Sequence, residues 1–397
     1  FMGKYVQRAG EPVVRAGAMQ AMRILGEQFV LGPSIEAALK RGRGLIRAGE
    51  ASHFSFDMLG EGARTKADAA RYLDSYRAAL TAVGQDAQGA GPVAGNGVSV
   101  KLSALHPRYD ARHHDQVLAE LTPGLIELAQ LAKQFNIGLC LDAEEADRLV
   151  LSLKLLDRLA AEPSLAGWDG LGLAVQAYQK RATEVVDSVA DLARGRRRRL
   201  MVRLVKGAYW DGEIKRAQVQ GRPDFPVWTT KAATDVNYLA CARTMLAADD
   251  VLFCAFAHTA VAITRLAEAA GVKTYEFQRL HGMGESLYAA GQFAAPVRVY
   301  APVGSHEDLL PYLVRRLLEN GANTSFVHSF LDDDVSPDLV AADPITRLEA
   351  APKRHPRLPP PPALFGPSRR NSAGLDLSIA ATRDRLAATA AALALAP

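Results

Sequence analysis

Apolar and polar positions along this chain alternate between two rhythms. From Gly97 onward, short β-rich runs take turns with helix-length segments in which apolar residues recur every three to four positions. The β-rich runs are Val98–Leu105, Ile137–Asp142, Gly172–Tyr178, Leu200–Tyr209, Val251–Ala257, Lys273–Leu280 and Val297–Val303; an earlier stretch, Phe54–Leu59, makes eight. Helical periodicity fills Val117–Phe135, Glu144–Ala161, Ala182–Ala193 and Thr259–Ala270, and before the first run it covers Val13–Phe29, Ile35–Ala48 and Lys66–Val83. Strand-then-helix alternation predicts a parallel sheet, and eight units predict closure into an α/β fold of the (β/α)8, or TIM, barrel type. An open doubly wound sheet is the rival, but no Gly-x-Gly-x-x-Gly follows any strand.

The chain divides by texture into an N-terminal helical segment (1–50), the barrel (51–342) and an extension (343–397). In the extension, Pro352, Pro356 and Pro359–Pro362 read as a stiff, extended linker, and Ala381–Ala396 as a low-complexity tail. The opening Phe1-Met2-Gly3-Lys4 carries no signal-peptide run, and both ends read like parts of a longer protein.

Composition narrows the function classes. A net charge of +4 over 397 residues gives no basic face for nucleic acid. The dense run Arg194–Arg199 is expected to be a solvated helix end or loop. Cys140, Cys241 and Cys254 are too scattered for a disulfide framework, and Cys140 and Cys254, inside apolar runs, are expected as buried thiols. No apolar stretch is long enough to span a bilayer as a helix.

Barrel enzymes carry their chemistry at the C-terminal ends of the strands. There the runs break from Val, Leu and Ile into Asp57, Lys101, Asp142, Gln176, Arg203 with Lys206, His258, Gln278 and Tyr300. Buried ions are costly unless they meet each other or a ligand, so these groups are expected to converge. Arg203 and Lys206, followed by Tyr209 and Trp210, suit a large planar ligand with anionic groups, and a flavin nucleotide fits. Gln176 and Gln278 can satisfy the amide-like edge of such a ring. Over Asp308–Asn320, Tyr312, Arg315 and Glu319 share a helix face, and Arg315 with Arg316 suits bidentate capture of a carboxylate.

Five runs carry a resemblance: Val98–Tyr109 (VSVKLSALHPRY), Leu141–Asp147 (LDAEEAD), Val202–Trp210 (VRLVKGAYW), Tyr275–Gly284 (YEFQRLHGMG) and Tyr312–Asn323 (YLVRRLLENGAN). Together, within a likeness running from Val6 to Asp376, they resemble the proline dehydrogenase domain of bacterial proline utilization A. The resemblance implies a distorted barrel with its last helix above the strand ends, non-covalent FAD, and hydride transfer from L-proline to flavin N5. The implied product is pyrroline-5-carboxylate, with electrons passing to a membrane quinone and a cytoplasmic location at the inner membrane surface. It assigns Lys101, Arg315 and Arg316 to the proline carboxylate and Asp142 to the arginine helix. Tyr209, Leu280, Tyr300 and Tyr312 would wall the substrate ring. Arg203 would sit at flavin N5, with Gln176, Val205, Lys206, Gly207, Trp210, Thr229, Thr230, Lys231, His258, Gln278, Arg279 and Glu319 around the rest of FAD. No metal ligand set is implied.

The chain departs from the family after the sixth strand. Where the family carries Phe-Ala-Thr-His-Asn and a second His-Thr, this chain reads Phe253–Thr259 (FCAFAHT), so His258 can stand for either histidine. The connection Tyr288–Val297 is also short, and loose FAD binding is the expectation. His355–Pro359 (HPRLP) and Gly366–Asp376 (GPSRRNSAGLD) resemble the linker into the family's aldehyde dehydrogenase domain. No nucleophilic cysteine with a nicotinamide-binding framework follows, so glutamate formation is not expected. Two other readings stand beside this one: a barrel lyase forming a Schiff base on Lys101 or Lys206, and a scaffold domain that has lost FAD.

Overall fold

In the computed structural model, residue 26 and residues 28–305, 312–315 and 342–394 are described. Eight strands pair in parallel and in chain order, and the last closes on the first. They are β1 (His53–Met58), β2 (Gly97–Val100), β3 (Gly138–Leu141), β4 (Leu171–Gln176), β5 (Leu200–Val205), β6 (Leu252–Phe256), β7 (Tyr275–Leu280) and β8 (Val297–Val303). The helices surrounding them are α1 (Ile35–Arg47), α2 (Lys66–Asp86), α3 (His114–Gln134), α4 (Leu149–Ala161), α5 (Ala182–Arg196), α6 (Trp210–Val219), α7 (Lys231–Ala247), α8 (Ala260–Ala270) and α9 (Glu285–Gly291). Two further helices, α10 (Pro344–Ala350) and α11 (Ala380–Ala394), lie in the C-terminal extension.

Local chemistry sets the helix ends. Thr65 and Asp68 form a reciprocal capping box at the start of α2, and Thr230 caps α7 by accepting the Ala233 N–H. α8 ends on Gly271, whose φ of 72° is the left-handed conformation glycine adopts without cost. The basic run falls at the end of α5: Arg194 pairs with Asp250, Arg196 with Asp157, and Arg197 takes the left-handed cap. Arg198 donates to the carbonyls of Ala160, Leu165 and Glu162.

Strands two and five are shorter than their apolar runs. Val98–Leu105 leaves the ladder after Val100 and turns through a 3-10 segment, Leu102–Ala104; Leu200–Tyr209 leaves it after Val205. At both places the chain must bend over the barrel mouth, and turn hydrogen bonds such as Ala104 N–H to Lys101 O replace the ladder.

The two faces of the strands differ in chemistry. Most Val and Leu side chains of the strands point away from the barrel axis. With a period of two, they face the helices in the main core with Phe54, Val98, Leu139, Leu173, Val202, Phe256, Phe277 and Val299. Many inward positions are small or polar: Ser55, Gly97, Gly138, Arg203, Glu276 and Arg298 line one small internal cavity, together with the apolar Met201. Polar groups therefore run through the barrel from bottom to mouth.

The C-terminal extension is not a free connector over its described length. α10 packs against α7, and Leu358 joins a cluster with Trp210, Ile214 and Phe225. The alanine-rich tail is helical as α11.

Candidate active site at the barrel mouth

Five strands meet in one buried charge network at their C-terminal ends. Lys101, just past β2, donates from Nζ to Asp57 of β1, to Asp142 Oδ2 past β3 (3.1 Å) and to Tyr300 Oη of β8 (3.1 Å). Tyr300 Oη donates to Asp142 Oδ2 at 2.6 Å. Arg203 of β5 donates to the other Asp142 oxygen and to Ser99 Oγ (3.2 Å), and its guanidinium lies 4.8 Å from the Tyr300 ring centroid. Asp142 is thus the hub, shared by Lys101, Arg203 and Tyr300.

Burial sets the protonation of these groups. Although burial opposes its charge, Lys101 is held well above the ordinary ammonium value by Asp57, Tyr300, Asp142 and Glu61. Burial, the largest influence on Asp57, pushes its carboxyl up to about 6 despite the pull of Lys101, and Asp142 adds to the push. Burial also works against the Asp142 carboxylate, but Lys101 and Arg203 outweigh it and hold it below the usual range. Asp57 is fully buried, and its Oδ2 has no hydrogen-bond partner.

The segment Tyr312–Arg315 sits over this network. Tyr312 and Leu313 pack on Phe29, Val30 and Leu59. Arg315 grips Glu61 through both terminal nitrogens, with NH1 to Oε2 at 2.7 Å, and lies 5.4 Å from the Tyr209 ring centroid. Arg203 and Arg315 therefore belong to the same end of the barrel. Arg316 and Glu319 lie outside the described residues, as do most of Asp308–Asn320 and nearly all of Val13–Phe29.

A second group flanks the mouth on the β4–β6 side. Gln176 donates to the Glu144 carbonyl at 2.7 Å. Val205 ends β5, and Gly207 (φ 136°) lies so close to Tyr178 that an added Cβ would meet its ring at 2.5 Å. Trp210 opens α6 and donates from Nε1 to the Trp228 carbonyl at 2.8 Å. Lys206 and Lys231 both pair with Asp235, at 2.5 and 2.6 Å. Thr229 is buried and Thr230 caps α7, so two hydroxyls, two ammoniums and a helix N-terminus gather there. His258 donates its backbone N–H to Tyr238 Oη and sets its ring edge-on to Tyr238 at 5.6 Å.

Gln278 and Leu280 take alternate, inward positions on β7; Gln278 donates to Glu276 at 2.7 Å, and its buried Oε1 has no partner. Arg279 does not join them. Strand alternation turns it outward, where it binds Glu285 (3.0 Å) and the Glu50 carbonyl (3.1 Å).

Two charged groups of the barrel have no counterpart among the expected residues. Glu61, the partner of Arg315, lies in the loop after β1, where no periodicity points inward. The trio His53, Glu276 and Arg298 lies at the opposite end of the barrel, with contacts of 2.9 and 2.7 Å. Burial pushes Glu276 up, but Arg298 and His53 outweigh it and hold its carboxyl at about 2. A charged residue at an inward position inside an apolar strand was the available signal for that trio.

A closed parallel barrel whose mouth gathers balanced cations, carboxylates and aromatics defines the class: a (β/α)8 barrel with the build of an enzyme. Residues 38–329 match the family model described as proline dehydrogenase, and the chain belongs to that family. It is 49% identical to the bifunctional protein PutA of Escherichia coli (strain K12), over 99% of this chain but 31% of that protein. It is 30% identical to a proline dehydrogenase of Deinococcus radiodurans, covering 80% of this chain and 94% of that one. Among solved structures, a variant of proline utilization A from Bradyrhizobium japonicum superposes with a TM-score of 0.85 at 51% identity, covering 97% of this chain and 40% of that one. The chain thus spans less than half the length of its bifunctional relatives.

Proposed function

We propose that this chain oxidises L-proline to pyrroline-5-carboxylate with FAD as its redox cofactor, a membrane quinone taking the electrons in turn. The observation that carries the reading is the convergence of Lys101, Arg203 and Arg315 at the C-terminal mouth of the barrel, beside Tyr209, Tyr300 and Tyr312. FAD, when bound, supplies a two-electron acceptor. Its fit is supported by donors and acceptors of the right kinds: the orphaned Gln278 Oε1 for a ring N–H, Arg203 for the ring's electron-rich edge, and Thr229, Thr230 and Lys231 for phosphates.

The residues then divide the work. Lys101, Asp57 and Glu61, with Asp142, Arg203 and Arg315, already balance three cations against three carboxylates. A substrate carboxylate is accommodated by replacing Glu61 on Arg315, which keeps that balance and places the amino acid over the Tyr209 side of the mouth. Positive potential from Lys101 and Arg315 disfavours a protonated ring nitrogen, leaving its lone pair free to assist loss of hydride from the adjacent carbon. Tyr300 and Tyr312 exclude water and orient the ring.

Neither lysine suits Schiff-base chemistry. A nucleophilic amine must be neutral, whereas Lys101 is held charged by two carboxylates and Lys206 is paired with Asp235. The deciding experiment adds L-proline to the FAD-loaded protein under anaerobic conditions. Bleaching of the flavin absorbance is expected; a yellow colour that persists refutes the proposal. Borohydride with carbonyl substrates is expected to trap no adduct.

A further inference from the structure

Residues 351–379 run along α6 and the loop joining it to α7. Asn371 Nδ2 donates to the Gln218 carbonyl near the end of α6 at 2.8 Å and to the Pro361 carbonyl at 3.1 Å. Asp376 pairs with the buried Arg222 at 3.3 Å, and Arg354 holds Asp224 through two nitrogens at 2.9 and 3.0 Å. The two backbones nearly touch: a Cβ added at Gly374 would meet the Gln220 oxygen at 1.9 Å. Pro361 is buried, and Leu358 packs against the cluster that contains Phe225, as Trp210 does.

One of these contacts reaches the phosphate-like corner of the mouth. The His355 N–H donates to Thr229 Oγ1 at 3.1 Å. With its oxygen engaged as an acceptor, the Thr229 hydroxyl has its hydrogen left to donate to an anionic oxygen. The adjacent Thr230 is fixed by its cap on α7. A passive connector needs no such set of directed contacts on one loop.

We infer that residues 351–379 form a strap that positions the loop from α6 to Thr229 and thereby sets the affinity for the phosphates of a dinucleotide. This rests on the flavin reading above. The strap residues position the loop; they do not touch the reacting atoms.

The test uses the full chain carrying Asn371→Ala with Asp376→Ala, and separately Gly374→Ala, which crowds Gln220 from the strap side alone. FAD is titrated into apoprotein by quenching of flavin fluorescence, alongside apoprotein melting and the proline KM at saturating FAD. Losing one or two hydrogen bonds of about 1 kcal/mol each is expected to raise the FAD Kd roughly tenfold. The apoprotein melting temperature should stay within about 4 °C of the parent, with the proline KM unchanged. An unaltered FAD Kd in both variants overturns the strap and leaves the flavin reading standing. A larger fall in apoprotein melting shows a general brace for the barrel and overturns it equally. A parent chain that binds no FAD removes the flavin reading and the strap with it.

Discussion

Replacing Lys101 by methionine keeps most of the side chain's volume and removes one charge from the centre of the network. In the parent, Asp57 ionises near pH 6 instead of at the ordinary carboxyl value, because burial outweighs Lys101. The sign follows from linkage. A carboxyl whose folded pKa is raised contributes stability below its unfolded value, near 3.9, and loses it as pH rises through the folded pKa. Over that gap of about two units the parent loses about 3 kcal/mol and then levels off above roughly pH 7. Without Lys101, the pull on Asp57 is gone while the Asp142 charge remains, so its pKa climbs further. The loss of stability with rising pH therefore extends beyond the parent's range, by up to about the 3 kcal/mol typical of breaking a buried ion pair. Urea unfolding of the apoprotein at pH 5, 6, 7 and 8 reads this directly. Lys101→Met should already lie below the parent at pH 5, because Asp142 loses one of its two cations, and the gap should widen progressively toward pH 8. Parallel curves for the two proteins would show that Lys101 and Asp57 are not coupled, and would refute the account of the network.

Three other outcomes are expected. Arg315→Met should raise the proline KM by one to two orders of magnitude, the loss of a charge-assisted bidentate contact of about 1.5–3 kcal/mol, while FAD titration stays near the parent value; loss of FAD instead would misplace Arg315. His281, buried with neither ring nitrogen bonded, is pushed down to about 4 mainly by burial, so it favours the fold above pH 6.5 and loses that stability as pH falls toward 4. His281→Gln should flatten the stability curve in that window by up to about 3 kcal/mol, and an unchanged acid slope counts against it. Phe54→Ala empties a fully buried site against α1 at Gly42 and should cost about 3–5 kcal/mol in denaturant unfolding; a loss below 1 kcal/mol would place Phe54 outside the core.

Periodicity counted eight strand-then-helix units and pointed to a parallel sheet, with a closed barrel favoured over an open one; the pairing of β8 with β1 is what closes it. It also marked Asp57, Lys101, Asp142, Arg203 and Tyr300, because charge at the end of an apolar run has to be answered by something nearby. It did not show that β2 and β5 stop early, because residues that leave the ladder to bend over the mouth keep the same apolar texture. Nor did it separate Arg279 from Gln278. Which face a strand residue takes depends on register within the closed sheet, and one position's difference sends a side chain from the mouth to the outer wall. The pairing of Arg315 with Glu61, the sharing of Asp142 among three donors, and the docking of residues 351–379 on α6 all join positions far apart in the chain. Local pattern carries no record of such distances. Only barrel closure brings those groups within reach, and electrostatics and hydrogen bonding then choose the partners.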